Sequence, residues 1–271
     1  MPECHLGDVT IHYESQGRGQ AALLVHGLGS STRDWEFNIE ALAAEHRVLA
    51  CDCRGHGRSS SPPGRFTIEQ FATDAAALLE KLGAAPAHLV GISMGGMIVL
   101  QLAAARPELV RSLVAVNAGF RLRFERLRER LSLRVRKLLM RLAGMKAVGR
   151  KLGREMFPEH GQEHLRRLVS ERWAENDPSC YRRALQAVLE CDLRDRVDDI
   201  TCPVLFVRGE LDETPMEVSD EQLGRLPAAR KVIVPGSRHA TCVDRPEEFN
   251  RLVLDFWREV EKPPAGEVAS V

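Results

Sequence analysis

Several things are missing from this 271-residue chain, and each absence closes off a class of protein. Net charge is one: 38 Lys and Arg offset 38 Asp and Glu. No global field therefore draws the chain to nucleic acid or to an acidic surface, and any basic patch must be local. A cysteine framework is another. Cys4, Cys51, Cys53, Cys180, Cys191, Cys202 and Cys242 are odd in number and scattered without zinc-ligand spacing, which predicts reduced thiols rather than disulfides or a bound metal. Met1–Asp8 has neither the basic start nor the apolar core of a secretory signal, so a cytoplasmic location is the expectation. Charged residues are absent from Gly83–Ala105, a stretch long enough to span a bilayer. Pro86, His88, Ser93 and four glycines interrupt it, however, and a buried strand, turn and helix fit it better than a membrane span. What is present is apolar content: 44% hydrophobic residues can bury a full core in one large domain, with or without an inserted subdomain.

Apolar runs of strand length recur at Val9–Tyr13, Ala21–His26, Arg47–Cys51, His88–Gly91, Leu113–Asn117, Val204–Arg208 and Lys231–Val234. Helical periodicity lies between most of them. Thr32–Ala44 and Thr67–Leu82 repeat apolar residues at helical spacing, and Thr67-Ile68-Glu69-Gln70 suits a capping box. This alternation predicts an α/β fold whose mostly parallel sheet is covered on both faces, with chemistry in the loops at the carboxyl ends of the strands.

The motifs sit in those loops. Gly91-Ile92-Ser93-Met94-Gly95-Gly96 places a serine on a strand-to-helix turn, the G-x-S-x-G nucleophile elbow, where side chains two residues to either side of the serine would collide. His26-Gly27-Leu28-Gly29 follows another apolar run, and the amides of Leu28 and Met94 could together hold a developing oxyanion. His26 suits fixing its loop better than acting as a base. The charges of Asp52-Cys53-Arg54-Gly55-His56-Gly57-Arg58-Ser59 suit pinning a turn. Later come Arg208-Gly209-Glu210-Leu211-Asp212 and Pro235-Gly236-Ser237-Arg238-His239. A serine hydroxyl is a poor nucleophile until a base takes its proton, a role that suits His239, with Asp212 to fix the imidazole. Glu210 is the rival acid; its place nearer the strand end suits a backbone hydrogen bond, and Asp212 is favoured.

Together these residues resemble the α/β-hydrolase superfamily over nearly the whole chain. The resemblance implies an eight-stranded, mostly parallel sheet with helices on both faces, a Ser93-His239-Asp212 triad, an oxyanion hole from Leu28 and Met94, and no cofactor or metal. Single-domain carboxylesterases and enol-lactone hydrolases look most similar. Serine at position 93 argues against the haloalkane dehalogenase and epoxide hydrolase branches, which use aspartate there. The expected reaction is cleavage of a small-molecule carboxylic ester through an acyl-enzyme. The same residues would serve lactone or carbon-carbon bond hydrolysis, and some members of the superfamily are ligand receptors instead.

The resemblance also implies a core of residues 1–119 and 200–262 with a helical cap inserted at 120–199, followed by a tail, 263–271, that reads as disordered. In the cap, Phe124, Leu131, Leu138, Met145 and Leu152 recur every seven residues with Leu127, Val135 and Leu142 beside them. This predicts one apolar stripe buried against the core, and a dimer seam is disfavoured because Gly144, Gly149 and Gly153 should break the long helix. Residues 121–154 also hold thirteen Arg or Lys against Glu125 and Glu129. That excess suits a solvated face, docking of an acidic partner such as an acyl carrier protein, steering of an anionic substrate, or contact with an anionic membrane.

Overall fold

The computed structural model describes residues 2–124, 126–216 and 218–262; the predicted tail at 263–271 lies outside them. The strands are β1 (Glu3–Leu6), β2 (Val9–Gln16), β3 (Ala21–Val25), β4 (Arg47–Cys51), β5 (Ala87–Ile92), β6 (Val110–Val116), β7 (Val204–Gly209) and β8 (Arg230–Val234). They form one sheet in the order β1-β2-β4-β3-β5-β6-β7-β8, with β1 and β2 antiparallel to their neighbours and the rest parallel. The apolar runs therefore mark seven of the strands. The eighth, β1, buries only Cys4 of its four residues and is held by a tight Gly7-Asp8 hairpin, with Leu6 opposite Val9, so apolar content could not reveal it.

The helices are α1 (Ile39–Ala43), α2 (Ile68–Lys81), α3 (Met94–Ala105), α4 (Leu127–Met156), α5 (Glu163–Ala174), α6 (Pro178–Glu190), α7 (Asp220–Arg225), α8 (Thr241–Asp244) and α9 (Pro246–Glu261). Strand side chains alternate between two cores. Leu23, Val25 and Leu49 join Phe71, Leu79 and Ile98 from α2 and α3 on one face. Ala22, Leu24 and Val48 join Phe249, Val253 and Trp257 from α9 on the other. Burial on both faces explains the unbroken apolar runs. The continuous helix expected over Thr32–Ala44 is instead a 3-10 turn, Thr32–Trp35, followed by α1. Asn38 stands between them, its amide donating to Cys242 O and Asn250 Oδ1. At the start of α2, Thr67 Oγ1 accepts from Gln70 N at 3.1 Å. The Gln70 amide faces Arg65 and Arg54 rather than completing the capping box.

Between β6 and β7, α4 to α6 build a third apolar cluster around Val148, Phe157, Trp173 and Tyr181, which reaches the core at Leu28 and Ala240. The stripe expected to be buried there is buried only at its far end, at Met145 and Leu152. Leu127, Leu131, Val135, Leu138 and Leu142 are exposed, Leu127 by 79%. The cause is Gly144, whose φ of 74° and ψ of 178° interrupt α4. Past it, Met145, Val148 and Leu152 point inward; before it, Leu133, Leu139 and Met140 do. The break shifts the inward phase by about one residue, roughly 100° around the axis. Gly149 and Gly153, expected to break the helix, instead let α5 approach: a Cβ at Gly149 would lie 2.9 Å from Ser170 Cα, and one at Gly153 3.0 Å from Arg166 O. Among the described residues no helix is long and apolar enough to cross a membrane.

Candidate active site

Ser93 stands between β5 and α3 with φ 55° and ψ −114°, a conformation that costs an L-residue energy and persists only where its surroundings enforce it. Its N–H donates to Val116 O at 2.9 Å, and its carbonyl accepts the Met97 N–H at 3.2 Å. The flanking glycines are steric necessities. A Cβ on Gly91 would lie 2.2 Å from Gly95 O, one on Gly95 2.1 Å from Val25 O, and one on Gly96 2.2 Å from Ala118 Cβ. The turn presents Ser93 at the positive end of the buried helix α3.

The loop after β3 lies alongside, since a Cβ on Gly27 would sit 3.7 Å from Ser93 Cβ. That loop is fixed from several sides. His26, fully buried, bonds Gly27 O through Nδ1 at 2.7 Å and accepts from Cys53 N at Nε2, at 2.9 Å. These partners set its tautomer and occupy both nitrogens. Asp34 accepts from Gly27 N and from the Ser30 hydroxyl. Asp52 accepts the amides of Thr32 and Arg58, and Arg54 pairs with Asp74 through two bonds of 2.5 and 2.6 Å. The Leu28 and Met94 amides, in contrast, donate to no acceptor among the described residues.

Of the two candidate acids, Asp212 is the one beside His239. Its Oδ1 lies 3.1 Å from His239 Nδ1 and accepts from Thr214 N at 3.0 Å, while Thr214 Oγ1 lies 2.9 Å from the same ring nitrogen. Burial pushes the Asp212 carboxyl up, but the charge and hydrogen bond of His239 and the Thr214 bonds outweigh it and hold the group below its ordinary value. Glu210 accepts instead from Gly236 N at 2.9 Å. Ser93 Oγ and His239 Nε2 have no hydrogen-bond partner among the described residues, and both residues line one cavity of about 470 Å³ together with Leu28 and Asp212. Hydrogen bonds between a nucleophile and its base commonly tighten only around substrate.

Two contributors were not legible in the motifs. Asn117, left-handed at φ 46° after β6, accepts from Gly209 N at 2.8 Å and donates to His239 O at 2.8 Å, to Thr241 Oγ1 at 2.8 Å and to Arg238 O at 3.2 Å. It ties the acid loop to the histidine loop. Its signal is asparagine at a strand end, the non-glycine residue that best tolerates that conformation. The second is Thr214, which no spacing rule marks.

All seven cysteines are buried and free, and burial raises Cys51, Cys191 and Cys202 to about 12, which leaves them inert as nucleophiles. One group of described residues has the composition of metal ligands: His46, His88 and Glu261. It lies where β4 and β5 begin, at the opposite end of the sheet from Ser93. Its atoms already bond one another, Glu261 Oε1 standing 3.1 Å from His46 Nε2 and 3.0 Å from His88 Nε2.

A model of the "Alpha/beta hydrolase family" matches residues 22–252. A protein of Azorhizobium caulinodans whose name proposes a carbamate hydrolase, RutD, is 32% identical over 97% of this chain and all of its own. The (E)-2-((N-methylformamido)methylene)succinate hydrolase of Acinetobacter baylyi is 28% identical over 92% of this chain and 94% of its own. The crystal structure of the enol-lactonase from Burkholderia xenovorans superimposes with a TM-score of 0.85 at 26% identity, covering 95% of this chain and all of the enol-lactonase.

Proposed function

This chain belongs to the alpha/beta hydrolase family, in its esterase and lactone hydrolase branch, and on that premise we propose that it is a serine hydrolase cleaving carboxylic esters through an acyl-enzyme. The observation that carries the reading is the 3.1 Å contact of His239 with Asp212 beside the same cavity as the strained Ser93. His239 Nε2 would take the Ser93 proton as Oγ attacks the ester carbonyl, with Asp212 holding Nδ1–H and stabilising the imidazolium. The unpartnered Leu28 and Met94 amides would receive the oxyanion. His239 then protonates the leaving alcohol, and water activated by the same ring releases the acid.

Residues 120–199, with α4 to α6, would form a cap that walls the site and sets the substrate. Its exposed Arg130, Arg134 and Arg141 are available to an acidic partner, and one relative is named as a pimeloyl-[acyl-carrier protein] methyl ester esterase. Lactone hydrolysis by the same residues draws its support from the enol-lactonase neighbour.

The test is hydrolysis of p-nitrophenyl esters from acetate to decanoate. Ser93→Ala should lower kcat by about 10⁴-fold or more while the circular dichroism spectrum is kept. Wild-type-like turnover in that variant would end the assignment. Turnover of lactones but not of open-chain esters would favour the second reading.

A further inference from the structure

The cavity over Ser93 is walled in part by side chains that each hold a sealed N–H without an acceptor among the described residues. Arg136, on α4, donates to the Tyr181 hydroxyl and stands 5.1 Å from the centroid of that ring. Its Nε is sealed from solvent and bonded to nothing, and no carboxylate among the described residues comes within ion-pair distance. Glu155, whose charge acts on it, is paired with Lys151. Burial lowers the Arg136 guanidinium to about 10, a cost that a folded chain normally offsets with a counter-ion. Arg238 Nε and Trp173 Nε1 are likewise sealed and unpartnered, and both residues line the same cavity.

The acids of the wall are already engaged. Asp34 accepts from Gly27 N, Glu129 from Arg126 N, and Glu213 lies 3.7 Å from Arg128. The one sealed acceptor without a hydrogen bond among the cavity residues is Asp212 Oδ2, which lies 3.9 Å from Arg208 Nη2 and belongs to the carboxylate facing His239. The imbalance is therefore one of donors, and it needs a negatively charged, planar acceptor.

We propose that the cavity takes acyl substrates carrying a second, distal carboxylate, which the Arg136 guanidinium binds while Ser93 meets the acyl carbon at the other end of the chain. This deepens the esterase reading and rests on it for the position of Ser93. Arg136 is here a specificity-determining residue that touches substrate away from the reacting bond.

Matched substrates test it: mono-p-nitrophenyl esters of the dicarboxylic acids from succinate to suberate, against p-nitrophenyl alkanoates of the same chain length. Wild type should prefer the half-ester by tenfold or more in kcat/KM at one length, which measures the span from Ser93 to Arg136. Arg136→Gln should lower that preference at least tenfold, chiefly through KM, and Arg136→Lys should restore part of it. No preference in wild type, or an equal loss on both series in Arg136→Gln, would overturn the proposal. Calorimetry with free adipate, and with neutral adipamide as control, separates it from the esterase reading. If no ester is turned over, adipate binding that is lost in Arg136→Gln would still support the anion site, whereas an absence of adipate binding to wild type would sink it. Should Arg136→Gln not fold, the wild-type preference and the adipate titration decide alone.

Discussion

Asn117 adds a bridge between two loops that also bond each other, Leu211 N donating to Ser237 O at 2.8 Å. Gly209 and His239 belong to chain segments 30 residues apart in sequence, yet one amide side chain accepts from the first and donates to the carbonyl of the second. Asn117→Ala would leave the Gly209 N–H without its acceptor, at about 1–3 kcal/mol, and would force alanine into a left-handed conformation at about 1–2 kcal/mol more. Because the histidine loop would then sit loosely against Asp212, kcat should fall tenfold or more with little change in KM, alongside a lower urea midpoint. A variant that loses stability with kcat intact would show that Asn117 only braces the fold. Asp212→Asn asks a different question, since it keeps the shape and changes the imidazole tautomer. It should cost about 10⁴ in kcat at neutral pH, and a loss below tenfold would point to another acid.

At the scale of elements, α4 presents leucines to solvent. The exposure of Leu131, Leu138 and Leu142, between 55% and 74%, implies that replacing each with Gln changes stability by no more than about 0.5 kcal/mol. Met145→Ala, beyond the Gly144 break and buried, should cost about 2–5 kcal/mol. Urea unfolding of both variants checks the pair, and large losses from the leucine changes would mean that the stripe is covered after all. The heptad spacing could announce a helix but not its phase, because positive φ at a single glycine is invisible to periodicity. The elbow was legible for the opposite reason. There the constraint is steric and local, and it leaves its mark as glycines at fixed offsets from Ser93. Asp212 and His239 were legible from their order and their places after strands. Asn117 and Arg136 were not, since their roles arise from what distant loops and α4 bring to them.

Across the whole molecule the two ends of the sheet carry opposite kinds of polar cluster. The carboxyl ends hold Ser93, Asp212 and His239 beside a cavity. The amino ends of β4 and β5 hold His46 and His88, which tie the end of α9 to the sheet through Glu261 and pack against Trp257. Burial lowers His88 to about 4 against the pull of Glu261, and lowers His56 to about 3. Both are therefore neutral in the native state while the unfolded chain takes up a proton near pH 6.5. Below that value the unfolded state binds more protons than the folded one, so stability must fall as pH falls. Each histidine contributes a slope approaching about 1.4 kcal/mol per pH unit. Asp74 and Asp244, whose carboxyls burial raises, act in the opposite sense, and the histidine effect is read across the ordinary histidine value, from about pH 7.5 to 5.5. Urea midpoints over that range should decline steadily below pH 6.5, and His88→Gln, which cannot be protonated, should remove about half of the slope. A stability that stays flat to pH 5.5 would mean that these rings accept protons within the fold, with Glu261 rather than burial governing His88.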